Sequence, residues 1–464
     1  MAQYDALKEL DDVPESWIDD MLETDGFVER FLRNHRKLIW NNIRNVSLLS
    51  TPTRLRNFQG IFTTNNGRNN IYRGDTVSCL DEPLVVVDGV IQTTTDGNAQ
   101  REGRRDIVPF WNPTTTVPAC GFLAQETLIS ASGIDCSSQD GRMDPGCGCG
   151  PNLQWCGRTT DIQTVLSSFT TAVEKTMEYL VKQNRPYTEL FTTRVGFVNG
   201  PIVHYWKHWT RMSSGVRNVP VPLDNTALPD LPFTAVDEWV QVTLPEYHAG
   251  ILTSPSFLLR FQTNRARASQ FYTQFLCSPF QPPAAPLPVA DEAALNQPDL
   301  QLRAGCKYCH AVLEPTAAYW GRWAQQGAGL LYPEDFPASN DECRLCATTG
   351  ATCPDACSRY YHTVSLDPAD QEFLGMLESM VFLRNEHTAN VDEGPKLMAM
   401  RAVATNELPR CTVQTAANTL LGRKLSSDEM RLLNEWVTAF STSDYSYKSL
   451  MKTIVTSALY RRVK

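Results

Sequence analysis

At 464 residues, with 42% hydrophobic and 20% charged side chains, the chain can bury a sizeable core and reads as an ordinary folded protein. Its 51 acidic and 42 basic residues leave a formal charge of −9, and no basic run is interleaved with aromatics, which argues against nucleic acid as a partner. No apolar stretch reaches the roughly 18 residues of a transmembrane span, so none is expected.

Fourteen cysteines are too many for a reduced compartment at this length and point to periplasmic or extracellular surroundings. Residues 1–30 are acidic and amphipathic, with no basic and apolar leader, so no secretory signal is visible and a mature or trimmed form is expected.

In chain order, Pro14 opens one or two helices over 14–43, with Trp17, Met21, Phe27, Phe31, Leu38 and Ile39 as an apolar stripe. Residues 45–130 change to short β-rich runs, in which Asp88-Gly89 between Val85–Val87 and Val90-Ile91 predicts a tight hairpin beside Cys79 and Cys120. Cys136, Cys147, Cys149 and Cys156 crowd a loop whose carboxylate spacing misses a calcium-binding pattern, so a disulfide-stapled loop is expected. A central core helix follows over 161–183, with Ile162, Val165, Leu166, Phe169, Val173, Met177 and Leu180 recurring at three and four. His204 and His208 share a helix face at a metal-compatible spacing, but no third ligand is near, and satisfied structural histidines are favoured; His248 is equally ambiguous. A helix over 264–277, with Asn264 as its candidate cap, ends at Ser278-Pro279, and the prolines between 281 and 289 predict a stiff extended connector.

Cys306-Lys307-Tyr308-Cys309-His310 comes next. Two thiols three positions apart can each add across a haem vinyl group, and the adjacent histidine can then ligate the iron. Leu313-Glu314-Pro315, Tyr319, Trp320, Gly321 and Trp323 offer apolar and aromatic surface that could wall a porphyrin. A zinc ribbon, with Cys306 and Cys309 joined by Cys343 and Cys346, stays open as the alternative, as do plain disulfides. Cys343, Cys346, Cys353 and Cys357 match no iron–sulfur spacing and suggest two bridges. The tail from 367 to 464 is helical, with Gly422 at a helix end, Ser426-x-x-Glu429 as a capping box, and an apolar face from Tyr447 to Leu459. For a sixth iron ligand, His362 in Tyr360-Tyr361-His362 ranks first, ahead of Met376 and Met380 on an expected helix, and an open position third.

Several separated stretches then resemble one family. They are Phe27–Leu32, Gly250-Ile251-Leu252-Thr253-Ser254-Pro255, Arg267–Phe275, Leu276-Cys277-Ser278-Pro279, the CxxCH with Leu313-Glu314-Pro315, Cys411, Leu420-Leu421-Gly422-Arg423 and Leu459–Arg462. In this order they resemble the planctomycete-type cytochrome c family, bacterial secreted proteins with tandem domains of unknown function around a single CxxCH. The resemblance implies an export route and one covalent haem c on Cys306 and Cys309 with His310 as proximal ligand, but names no substrate. Two departures stand out: Pro315 reaches Gly321-Arg322 without the family's longer stretch and its Asp, and the cysteine-rich loops look like elaborations.

The expected fold is mainly α, with a small β-containing, disulfide-rich insertion and helical domains around a c-type haem unit. The expected domains are 1–290, helical with β and Cys-rich insertions; 291–365, the CxxCH unit with its Cys-rich loop; and 366–464, a helical bundle. The leading functional expectation is an exported mono-haem electron-transfer protein acting with an unidentified redox partner protein. The competing classes are a peroxidase-like haem enzyme with an open distal site and a disulfide- or zinc-stapled scaffold without haem.

Overall fold

The computed structural model describes residues 13–44, 46–64, 66–210, 212, 225–281 and 295–461. The proline connector expected over 281–289 lies outside the described residues apart from Gln281.

The chain opens with helices α1 (Glu15–Leu22) and α2 (Asp25–Ile39). Thr24 caps α2 by accepting from Phe27 N at 3.2 Å, and Val28, Phe31, Leu32, His35 and Ile39 form its buried stripe. The β-rich insertion carries β1 (Leu55–Phe58), β2 (Ile61–Thr64), α3 (Asn66–Arg73), β3 (Val86–Val87), β4 (Val90–Ile91), β5 (Thr93–Asp96), β6 (Ala99–Glu102), β7 (Arg104–Ile107) and β8 (Val117–Cys120). Its largest sheet runs β1-β2-β8-β7, with β2 and β8 parallel and the other neighbours antiparallel. At the hairpin expected between β3 and β4, Asp88 and Gly89 both adopt positive φ, the conformation a two-residue turn demands.

Long helix α4 (Thr159–Lys182) starts where Asp161 accepts from Arg158 N at 2.9 Å. Next come β9 (Val195–Val198), the short α5 (Gly200–His204), β10 (Val240–Thr243), α6 (Pro255–Arg260) and α7 (Asn264–Phe275). The cap of α7 is Thr263, whose Oγ1 accepts from Ala266 N at 3.2 Å; Asn264, expected in that role, instead accepts from Arg267. Helix α8 (Lys307–Ala317) carries the CxxCH, and α9 (Asp341–Thr349) and α10 (Asp355–Tyr360) form the second cysteine-rich unit. The tail contributes α11 (Asn385–Ala404), α12 (Glu407–Leu421), α13 (Met430–Thr442), α14 (Tyr447–Val455) and α15 (Ala458–Arg461). Gly422 ends α12 in the left-handed region, and the Ser426–Glu429 capping box precedes α13, both as the sequence suggests.

Two apolar cores meet on α4. Its first half, through Val165 and Phe169, packs with Leu48, Trp155, Ile202 and Trp209. Its second half, through Val173 and Met177, belongs to the largest core, where Phe31, Phe257, Phe271, Trp320, Val413, Phe440 and Ile454 gather. The tail helices close this core with the first helices, and Lys452–Asp19 and Lys448–Glu23 pairs tie α14 to α1 and to the turn just after it.

Six disulfides cross-link this frame: Cys79–Cys120, Cys136–Cys147, Cys149–Cys156, Cys277–Cys411, Cys343–Cys357 and Cys346–Cys353. Cys277–Cys411 spans 134 residues and fastens the end of α7 to α12.

Arg267 on α7 is fully buried, with no carboxylate paired to it among the described residues. Its guanidinium donates to Phe261 O (2.9 Å), Leu258 O (3.3 Å), Asn264 Oδ1 (2.9 Å), Trp323 O (3.1 Å), Ala324 O (2.9 Å) and Gly327 O (3.2 Å). Burial pushes it down to about 9, so it remains protonated at neutral pH, as six acceptors require. An Arg267→Met variant is expected to lose on the order of 3–5 kcal/mol in denaturant unfolding, because several buried carbonyls lose their donors. A loss below 1 kcal/mol, read from the urea midpoint, contradicts this (about one typical hydrogen bond).

Four histidines are held neutral by burial: His35 is pushed down to about 4, His208 to about 4, His248 to about 3, and His204 well below its usual value, with His208 adding to the effect. The unfolded chain, titrating near 6.5, binds more protons between about pH 4 and 6.5, so stability is full above that window and falls as pH drops through it. Unfolding free energies from urea titrations are expected to fall from pH 7 to pH 5 by on the order of 1–2 kcal/mol per histidine, and His248→Asn to flatten that slope.

Candidate functional site

Two helical turns lead into the motif: Asp299 O receives Leu302 N and Arg303 N, and Arg303 O receives Cys306 N and Lys307 N. Cys306 O then accepts from both Cys309 N and His310 N at 3.1 Å, which sets the two thiols and the imidazole on neighbouring positions of the first turn of α8. Cys306 and Cys309 are the two cysteines outside the six bridges, and both are half-buried. Cys309 Sγ lies 4.0 Å from Gln281 O.

His310 Nδ1 pairs with Glu314 Oε1 at 2.5 Å, one turn along the same helix, and Arg265 Nε of α7 donates to that same oxygen at 2.7 Å. The carboxylate thus fixes the ring and its tautomer, with the proton on Nδ1 and the lone pair on Nε2, the arrangement that supports a metal-ligating histidine. The sequence offered Glu314 as part of a possible wall and of the resembling stretch, not as a partner of His310, and did not single out Arg265. The spacing of four between His310 and Glu314 was a visible signal for the first; nothing local announced the second.

Apolar side chains are exposed beside the motif: Leu302 is 57% exposed, Tyr308 49% and Val312 44%. Further along, the helix enters the core. Tyr319, Trp320 and Trp323, expected to wall a porphyrin, are buried there; Trp320 Nε1 donates to Leu252 O at 2.9 Å and Tyr319 OH accepts from Arg401. The reason is Gly250-Ile251-Leu252-Thr253, packed under that turn. Gly250 has positive φ, and a Cβ there would come within 2.0 Å of Leu190 O.

The zinc ribbon does not form: Cys343 and Cys346 are bonded to Cys357 and Cys353 and offer no thiolates. His362 sits on the segment after that stapled loop, its Nδ1 3.5 Å from Glu378 and its Nε2 3.7 Å from Asp370, while its backbone pairs with Gly375 and Met376; none of these contacts is with a motif residue. Met376 and Met380 are not on the helix expected of them. Met376 bridges to Ser339, and Met380 ends a 3₁₀ turn and is buried among the disulfides.

His204 stacks on Phe110 at 3.9 Å and bonds Gln154 O at 3.1 Å, with the His208 ring 4.8 Å away; His248 bonds Thr253 Oγ1 at 2.8 Å. The metal-like cluster found among the described residues, Cys79, Glu102 and Cys120, is a disulfide beside the buried Arg73–Glu102 ion pair, and its sulfurs are not thiolates. Comparison with protein-family models, curated proteins and solved structures finds no match for this chain.

Thiol titration of the denatured, unreduced polypeptide made without haem-attachment machinery is expected to find two thiols, mapped by alkylation to Cys306 and Cys309. Thiols recovered from 343–357 instead would contradict the pairing.

Proposed function

We propose that the chain is an exported mono-haem c-type electron-transfer protein, with haem on Cys306 and Cys309 and His310 as proximal ligand, in keeping with its resemblance to the planctomycete-type cytochrome c family. The observation that carries this reading is the division of the fourteen cysteines: twelve close six bridges, and the remaining pair is that of the CxxCH.

The residues present suit the group. Each thiol can add across one vinyl group, its sulfur bonding one carbon and its hydrogen passing to the other, with no oxidant or reductant needed. His310 keeps Nε2 for the iron because Glu314, steadied by Arg265, takes Nδ1. Leu302, Tyr308 and Val312 provide apolar surface for a flat apolar ring to cover. When bound, haem supplies one-electron transfer between the ferric and ferrous states, at a potential set by its ligands and their partners. A disulfide-rich chain whose described helices include none long and apolar enough to cross a membrane accords with work in the periplasm or outside the cell, where covalent attachment retains the cofactor.

Protein expressed with periplasmic haem-attachment machinery is expected to exceed its polypeptide mass by one haem and to give a c-type pyridine haemochrome, both lost in the Cys306→Ser/Cys309→Ser variant. Unmodified mass with bound zinc would overturn the reading. Glu314→Gln is expected to retain covalent haem but raise the midpoint potential by tens of millivolts, because removing a negative charge near the iron favours the ferrous state. An unchanged potential removes Glu314 from the ligand's support.

A further inference from the structure

Away from the motif, a cavity of about 940 Å³ opens between α1 and α2 on one side and α12, α14 and α15 on the other. Its walls are apolar, with Ile18, Leu22, Phe27, Leu420, Met451 and Val455 among them. The volume lies in the range of small-molecule sites, about 300–1,000 Å³. An inner recess of about 110 Å³ adjoins it, sharing Asn34, Ala416, Thr419 and Tyr447 as common walls.

Polar side chains share the lining of the recess with apolar ones such as Leu38 and Phe275. Asn34, Lys37 and Gln274 line it, and their side chains make no hydrogen bond or ion pair with the described residues. His35 and Tyr187 at its back are bonded to each other at 3.0 Å. Charge separates this region from the rest of the molecule. In a chain of net charge −9, no Asp or Glu among the described residues lines either chamber, whereas Arg30 and Arg461 line the outer one and Lys37 the inner. Of the acidic groups nearby, Glu15 and Asp19 of α1 are paired to Lys452, and Glu23 just after it to Lys448.

We propose that this cavity binds a single-chain amphiphile with an anionic head, of the long-chain carboxylate class, its chain along the apolar walls and its carboxylate among Arg30, Asn34 and Lys37. An apolar wall favours any chain by burying its surface, but only an anionic head gains from a lining with cations and no carboxylates. The assignment is independent of the haem reading.

Calorimetric titration of the full chain with oleate and with oleyl alcohol tests it. Oleate is expected to bind one to one, about ten-fold or more tighter than the alcohol. Arg30→Gln/Lys37→Gln, which changes exposed side chains and spares the fold, is expected to erase that preference while leaving alcohol binding intact. Ala416→Trp, checked for folding by circular dichroism, is expected to abolish both. Absence of oleate binding, equal affinity for the two ligands, or oleate binding unchanged in the double charge variant overturns the proposal. So does binding that occurs only in Leu7→Ser/Leu10→Ser, which would assign the groove to residues 1–12 of the same chain.

Discussion

The structure hangs on a charge placed where charges are normally excluded. Arg267 is enclosed by main-chain carbonyls from the end of α6 and from the loop 323–327 beyond α8, and by the Asn264 side chain at the start of α7. A guanidinium has five donors in a planar fork and can serve several directions at once; a lysine has three donors on one centre and could not. Isolated burial of a cation is costly, so the site holds only because it is fully coordinated, and that requirement fixes where α8 leaves the core. The position of the CxxCH at the surface end of α8 follows from an anchor at its other end.

The disulfides act on the opposite side of the balance, by restricting the unfolded chain. Five are local, with separations of 7 to 41 residues, and staple loops too poor in apolar residues to hold themselves. One is long-range and joins α7 to the tail. Their chemical consequence exceeds their mechanical one. Because each of the twelve has a partner within bonding geometry, Cys306 and Cys309 are left as thiols by exclusion. No other cysteine competes for them, since Cys343 and Cys346, like the rest of the twelve, already sit in bridges.

Much of the helical frame was legible in the sequence because its signals are local: periodic stripes on α2 and α4, Gly422, and the box at Ser426. That 136–156 is a disulfide-stapled loop was legible from the density of its cysteines, whereas which of them pair was not. What could not be read depends on contacts between distant segments. Met376 and Met380 keep helical spacing yet lie in turns, because the backbone there pairs with 338–340 and 361–362 instead of with itself. Trp320 and Trp323 look like a cofactor wall by proximity in sequence, but two turns of helix carry them into the core. At the candidate site the motif itself was plain, whereas its support from Arg265 required knowing that α7 lies against α8.

Helix α7 is where these features converge. Along its twelve residues and the turn that follows, Arg265 steadies Glu314 behind His310, Arg267 holds the loop after α8, Gln270 Nε2 donates to Leu38 O at 2.6 Å, Gln274 lines the inner recess, and Cys277 locks to Cys411. A helix pinned at so many points moves as a rigid rod or not at all, since interiors are close-packed and transmit displacement. From Arg265 to Gln274 the helical rise spans roughly 14 Å. Any ligand that shifts the recess end of α7 must therefore either strain the Arg267 cage or tilt Arg265 against Glu314. The cage, with six bonds, is the stiffer of the two, so it isolates the imidazole of His310 from events in the cavity.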